Sequence, residues 1–167
     1  KIKLIHLVAP TVWAWRPDRA REVSKYLDHL LVLFPFEPPY FTCHGLPTTF
    51  IGHPAVEKTK GSGLKFRRLF GIPEDAIVIS LLPGSRYGEI DRLMPIFKET
   101  VEQLKKYYPN LYTVISMVPV AEDYIKNITS KWTLEDLVLC SSKDKLNAFS
   151  ASNVALAASG TVTLELV

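Results

Sequence analysis

Short apolar runs alternate with amphipathic stripes along nearly the whole chain. Lys3 to Val8 reads as a strand, and His29 to Leu33 as the next. Between them Asp18 to Leu27 predicts a helix, in which Ala20, Val23 and Leu27 share one face behind the entry signal Pro17-Asp18. Phe36 to His44, opened by Pro35 and Pro38-Pro39 and closed by Gly45, predicts a short helix or turn, and Thr48 to Ile51 a further strand. Gly52-His53-Pro54 stops this pattern. Residues 56–63 are polar, Gly-rich and without periodicity, and read as a linker between two domains, 1–55 and 64–167. The second series runs as helix Leu64 to Phe70, strand 76–82, helix 88–107, strand 111–116, helix 120–130, strand 137–140, helix 143–151, strand 153–157 and a helix from about residue 160. Strands alternating with helices imply parallel pairing through right-handed crossovers, and ligands in such sheets bind beyond the strands' carboxyl ends. The expected fold class is therefore α/β, with two parallel α/β units and with strands 77–82 and 154–157 in one sheet.

That rule draws attention to the strand ends. The β-branched run Ile77-Val78-Ile79 stops at Pro83-Gly84, which cannot continue a central strand. Gly84 permits a positive φ or a close approach to a ligand, Ser85 supplies a donor, and Arg86 a planar cationic fork. Helical periodicity resumes through Ile90, Leu93, Met94 and Phe97, so these groups sit at a helix N-terminus, which favours an anion. The same residues fit an ordinary βα turn with an exposed Arg. Ala158-Ser159-Gly160-Thr161 closes the apolar strand Val154 to Ala157, and Glu165, one turn on, could accept hydrogen bonds from ligand hydroxyls such as a ribose diol. A capped helix start with a solvated Glu explains that segment equally. Residues 9–17 hold Trp13 and Trp15 beside Arg16, with Arg19 and Arg21 following, which suits either core packing or a surface meeting lipid. His53 is either a contact to substrate or a turn residue ordered by its neighbours. Glu89 and Asp91 complement a helix dipole.

Composition narrows the field. With 47% hydrophobic and 22% charged residues in 167, the chain is globular and can bury a real core. The net charge of +3 arises in residues 1–60, and such a small excess without an aromatic-and-basic sheet pattern argues against nucleic acid. Cys43 and Cys140 are far apart, so neither a disulfide framework nor a structural metal is expected, and a reducing cytoplasm fits best. No apolar run approaches the roughly 20 residues of a membrane span. The absence of Asp-x-Asp, helical His-x-x-x-His and Gly-x-Gly-x-x-Gly leaves no support for a metal or a dinucleotide cofactor. Lys1 opens directly on a strand-like run and Val167 falls inside a newly started helix, so the chain reads as an excised piece of a longer one.

Together, Val-Ala-Pro-Thr-Val-Trp-Ala-Trp-Arg (8–16), Leu-Phe-Pro-Phe-Glu (33–37), Ile-Gly-His-Pro (51–54), Leu-Leu-Pro-Gly-Ser-Arg (81–86) with Glu89, and Ala-Ser-Gly-Thr-Val-Thr-Leu-Glu (158–165) resemble the lipid A disaccharide synthase family. The resemblance implies a GT-B-like α/β glycosyltransferase, of which this chain would hold parts of two Rossmann-like parallel-sheet domains, and which needs no cofactor and no metal. It would join UDP-2,3-diacylglucosamine to 2,3-diacylglucosamine 1-phosphate, peripherally bound at the cytoplasmic face of the bacterial inner membrane. Residues 1–55 would be the C-terminal part of the acceptor domain, and 64–167 the N-terminal part of the UDP-sugar domain. Pro83, Gly84, Ser85, Arg86, Glu89, Ser159, Gly160, Thr161 and Glu165 would hold UDP, with Arg86 stabilising the leaving group. Trp13, Trp15, Arg16 and His53 would face the acceptor and membrane. The family's Ser-Gly-Asp segment and its acidic base would precede Lys1, so no base is assigned here; the oligomeric state is not implied. A UDP-sugar epimerase of the same fold and a non-catalytic nucleotide-binding module are the competing functions.

Overall fold

The computed structural model describes residues 2–54, 61–160 and 162–166. The chain forms two compact units, Lys1–Lys58 and Thr59–Val167. Most of the segment expected as linker, residues 56–60, lies outside the described residues, as does Thr161.

The first unit contains β1 (Ile5–Leu7), α1 (Asp18–Val23), β2 (His29–Val32), α2 (Pro38–Thr42) and β3 (Thr48–Phe50), and its sheet runs β1-β2-β3 with every pair parallel. The period-two alternation of β2 buries Leu30 and Val32 completely, and they meet Ala9, Val12, Ala20, Phe41 and Leu46 in one core. Glu37 is also buried, yet it is satisfied: its Oε2 accepts the amides of Leu33 at 2.9 Å and Phe34 at 2.8 Å, closing the turn after β2. The first helix is shorter than the expected 18–27. After Val23 the chain tightens into i→i+3 bonds, Lys25 N to Glu22 O and Tyr26 N to Val23 O at 3.1 Å each, while Ser24 Oγ turns back to Ala20 O at 2.8 Å. β1 is shorter than the run suggests, and all three of its residues are exposed.

The second unit contains α3 (Gly63–Leu69), β4 (Ile77–Leu82), α4 (Tyr87–Lys105), β5 (Leu111–Ser116), α5 (Glu122–Thr129), β6 (Leu137–Cys140), α6 (Lys145–Ala151), β7 (Val154–Ala157) and α7 (Val162–Glu165). Its sheet is ordered β6-β5-β4-β7 and is parallel throughout, so strands 77–82 and 154–157 do share one sheet. Helices cover both faces, which explains why β4 and β5 are buried at nearly every position. One face packs Ile79, Leu81 and Ile115 against Ile90, Met94, Phe97 and Val101, the 4-3-4 stripe of α4. The other packs Val78, Val114 and Cys140 against Phe66 of α3 and Ala148 and Ala151 of α6. Truncating any large member of these clusters to Ala would cost about 2–5 kcal/mol.

Residues 61–63 are not spacer. Ser62 caps α3, its Oγ accepting Lys65 N, and its own amide donates to Asn147 Oδ1 at 2.8 Å. A Cβ at Gly63 would come within 2.3 Å of Ser150 O, so this glycine lets α3 start against the backbone of α6. Arg67 completes the contact. Its guanidinium reaches the carbonyls of Pro73 (2.7 Å), Ala76 (2.9 Å) and Ala151 (2.9 Å), tying α3 to the approaches of β4 and β7.

Candidate functional site

The strand order places β4 at the point where the sheet reverses direction: β5 and β6 extend on one side of it, and β7 returns to the other. A parallel sheet leaves a crevice beyond the carboxyl ends of the strands at such a switch point. Ala158 N donates to Leu82 O at 2.8 Å, so β4 and β7 stay paired to their last residues and then diverge, one toward α4 and the other toward α7. Between the diverging chains lies a cavity of about 410 Å³.

Pro83, Gly84, Ser85, Arg86 and Glu89 line it from the β4 side, and Ser159, Gly160 and Glu165 from the β7 side. Two segments 75 residues apart, singled out separately in the sequence, thus share one cavity. Gly84 adopts φ +99°, a region closed to ordinary residues, and a Cβ there would also meet Glu89 Oε2 at 2.4 Å. Arg86 is the N-cap of α4 with extended backbone, and its carbonyl accepts the amides of Glu89 (2.9 Å) and Ile90 (3.0 Å). The amides that open α4 ahead of Glu89 precede the helix's own bonding ladder, and with the guanidinium they place hydrogen-bond donors on a wall that also carries the Glu89 carboxylate. Arg86 Nη1 pairs with Glu89 Oε1 at 2.9 Å while its side chain stays 83% exposed.

The cavity has residues that the sequence did not announce. Ser116 ends β5 beside β4, and Val118 follows it. Ser116 was legible in principle, as the last residue of a strand next to the switch point. Lys145, the first residue of α6, enters the same cavity and pairs with Glu165. No local signal marked it, because its importance depends on where α6 lies.

Trp13, Trp15, Arg16 and His53 belong to the first unit. There the segments leaving all three strands converge: Trp13 follows β1, Phe34 and Phe36 follow β2, and His53 follows β3. Trp13 meets Phe36 edge-on at 5.1 Å and Phe34 at 6.5 Å, Tyr40 of α2 lies 6.4 Å from it, and His53 stacks on Phe34 at 5.9 Å. Trp13 is half-buried in this cluster, whereas Trp15 is 62% exposed with the Arg16 guanidinium 4.3 Å above its ring. Val8 (φ 76°) and Arg16 (φ 57°) bracket the segment in the left-handed region, a strained conformation for a β-branched residue. Among the described residues no helix is long and apolar enough to cross a membrane.

A parallel α/β unit with a polar cavity at its switch point, anchored by a Pro-Gly turn and a helix start, defines the Rossmann-like class. The family model described as lipid-A-disaccharide synthetase matches residues 1–167, and the chain belongs to that family. It is 52% identical over 168 residues to the lipid-A-disaccharide synthase of Rhodospirillum centenum, 41% over 167 to that of Gluconobacter oxydans, and 40% over 167 to that of Rickettsia prowazekii. Each alignment covers 99% of this chain but only 40–43% of the relative, so the chain spans about two-fifths of the proteins it matches.

Proposed function

We propose that this chain is part of a glycosyltransferase that transfers 2,3-diacylglucosamine from UDP to 2,3-diacylglucosamine 1-phosphate in lipid A biosynthesis. In this reading residues 64–167 carry the UDP-sugar site and residues 1–55 part of the acceptor site. The observation that carries it is the meeting of Arg86, the α4 start, Ser159 and Glu165 in one switch-point cavity, in a chain matched end to end by the family.

The chemistry follows from charge. As the bond to the anomeric carbon breaks, the departing UDP gains negative charge on its diphosphate. Arg86 and the amides at the start of α4 are donors suited to that charge, and donors that strengthen in the transition state lower the barrier rather than merely binding substrate. Gly84 lets the backbone come close to the phosphates, and Glu165 faces the ribose hydroxyls. On the acceptor side, the aromatic cluster around Trp13 offers apolar surface for an acylated sugar. The exposed Trp15 with Arg16, Arg19 and Arg21 suits the anionic cytoplasmic face of the inner membrane, where the enzyme would be peripheral.

The test is transfer by the intact protein. UDP-2,3-diacylglucosamine with the 1-phosphate acceptor should yield disaccharide and UDP. Interconversion of the UDP-sugar without an acceptor would instead make the protein an epimerase, and UDP binding with no turnover a nucleotide-binding module.

A further inference from the structure

Glu165 is an awkward residue for a cavity that takes a diphosphate. A carboxylate near an anionic ligand repels it, and a carboxylate that must accept from two vicinal hydroxyls has to be held in one orientation. Lys145 answers both requirements. Its Nζ bonds Glu165 Oε2, its side chain is 28% exposed and that of Glu165 16%, and both line the cavity from different helices, α6 and α7. The ammonium also lies 6.0 Å from the ring of Phe149, one turn along α6. Lys145 is thus tethered by its own helix while its charge reaches the neighbouring one. An ion pair this sheltered is screened less than a surface pair.

Resting on the UDP reading of the cavity, we propose that Lys145 is a positioning residue: it neutralises Glu165 and fixes its carboxylate toward the ribose diol, so that the pair sets a preference for ribonucleoside over 2′-deoxyribonucleoside diphosphates. A hydrogen bond from a hydroxyl to a charged acceptor is stronger than one to a neutral acceptor. Only a ligand that has the 2′-hydroxyl gains the full benefit of a correctly oriented carboxylate.

The test measures UDP and 2′-deoxy-UDP binding to the intact protein by calorimetry, with inorganic pyrophosphate as a probe of the phosphate wall. The wild-type protein should favour UDP over 2′-deoxy-UDP by roughly tenfold or more. Lys145→Met, which keeps the stem and removes the charge, should collapse that ratio toward one and should weaken pyrophosphate less than UDP, since the uncompensated Glu165 repels both anions while only UDP also loses the oriented contact to its ribose. Lys145→Arg should keep most of the ratio. In a Glu165→Gln background, Lys145→Met should cost nothing further. Equal losses for UDP, 2′-deoxy-UDP and pyrophosphate in Lys145→Met would make the lysine a direct phosphate contact and overturn the proposal. An unchanged UDP to 2′-deoxy-UDP ratio would overturn it as well. Failure of the wild-type protein to bind UDP at all would remove the nucleotide reading itself, a result distinguishable from either.

Discussion

Arg86 and Glu89 close an ion pair across the first turn of α4, Nη1 to Oε1 at 2.9 Å, at the mouth of the cavity rather than in its floor. An exposed pair of this kind contributes little to stability, within about 1 kcal/mol. Under the proposed UDP reading, its place at the carboxyl end of β4 gives it another use: Glu89 would hold the exposed guanidinium beside the helix start until a phosphate competes for it.

Substitution of Arg86 should therefore affect catalysis and not folding. In the intact enzyme, Arg86→Ala should lower transfer on the order of 10²-fold or more, with part of the loss in kcat, as for other donors that strengthen in the transition state. Arg86→Lys keeps the charge without the bidentate fork and should fall between. Steady-state kinetics with circular dichroism as the folding control decides the matter. Near-normal turnover in folded Arg86→Ala would reduce the residue to a surface arginine of a βα turn.

The Trp15 segment predicts binding to anionic vesicles. Arg16, Arg19 and Arg21 are all exposed, and each basic residue near such a surface is worth about 1 kcal/mol. Replacing the three with Gln should weaken co-sedimentation of the intact protein with phosphatidylglycerol vesicles by up to roughly a hundredfold at low salt, with the difference shrinking as salt is added. Sedimentation that ignores both the substitutions and the salt would leave Trp15 and Arg16 as a local cation–π pair.

What the sequence disclosed depends on the range of the interaction. The strands and the α4 stripe were legible because burial repeats with the period of the element, and the Pro-Gly turn because few residues can adopt φ +99°. Neighbouring of the Gly84 and Ser159 loops followed only from the rule that parallel strands open ligand sites at their carboxyl ends. Lys145 and Arg67 were invisible in comparison. A Lys at a helix start and an Arg in a short basic helix look like solvated charges until the crossovers bring Glu165 to the one and three backbone carbonyls to the other. Gly61 and Gly63 misled for a related reason, as glycines needed for close packing and glycines in a flexible spacer have the same composition.

Gly63 makes that distinction measurable. An added Cβ would lie 2.3 Å from Ser150 O and 2.9 Å from Ala151 Cα, both backbone atoms that cannot turn aside. Gly63→Ala should force α3 from α6 and cost about 1–3 kcal/mol, lowering Tm by roughly 4–8 °C per kcal/mol for a unit of this size. Gly88→Ala, in the first turn of α4 with nothing within 4 Å of its Cβ, should be neutral or stabilising. Equal effects at the two positions would mean that the α3–α6 contact is loose.

The two cysteines should differ in reactivity. Cys43 is exposed; Cys140 is buried, and burial raises its thiol pKa, partly offset by the hydrogen bond with Ser116. Iodoacetamide should label Cys43 in the native protein and Cys140 only on unfolding. Above the unfolded thiol's pKa, near 8.5, the unfolded chain holds fewer protons than the native one at this site, so the contribution of Cys140 to stability declines as pH rises toward the native value. Urea titrations between neutral pH and about pH 9.5 should show a shallower alkaline decline in Cys140→Ala than in the parent. Rapid native labelling of Cys140 would contradict its burial.

Thr113 should be a position where the protein improves on substitution. It lies in the middle of β5, wholly buried, and among the described residues its Oγ1 is a buried side-chain oxygen without a hydrogen-bond partner. Leaving a hydroxyl in that condition costs about 1–3 kcal/mol. Valine has nearly the same shape and the same preference for a strand, and removes the oxygen. Thr113→Val should raise stability by about 1 kcal/mol, seen as a higher urea midpoint with an unchanged slope. Thr113→Ser, which keeps the hydroxyl and deletes the methyl, should lower it. Because Ser116 and not Thr113 lines the cavity, transfer by the intact protein should be unaffected by the valine. A lower midpoint for Thr113→Val would show that the hydroxyl has a partner, such as an internal water bridging it to the strand, and that β5 uses it.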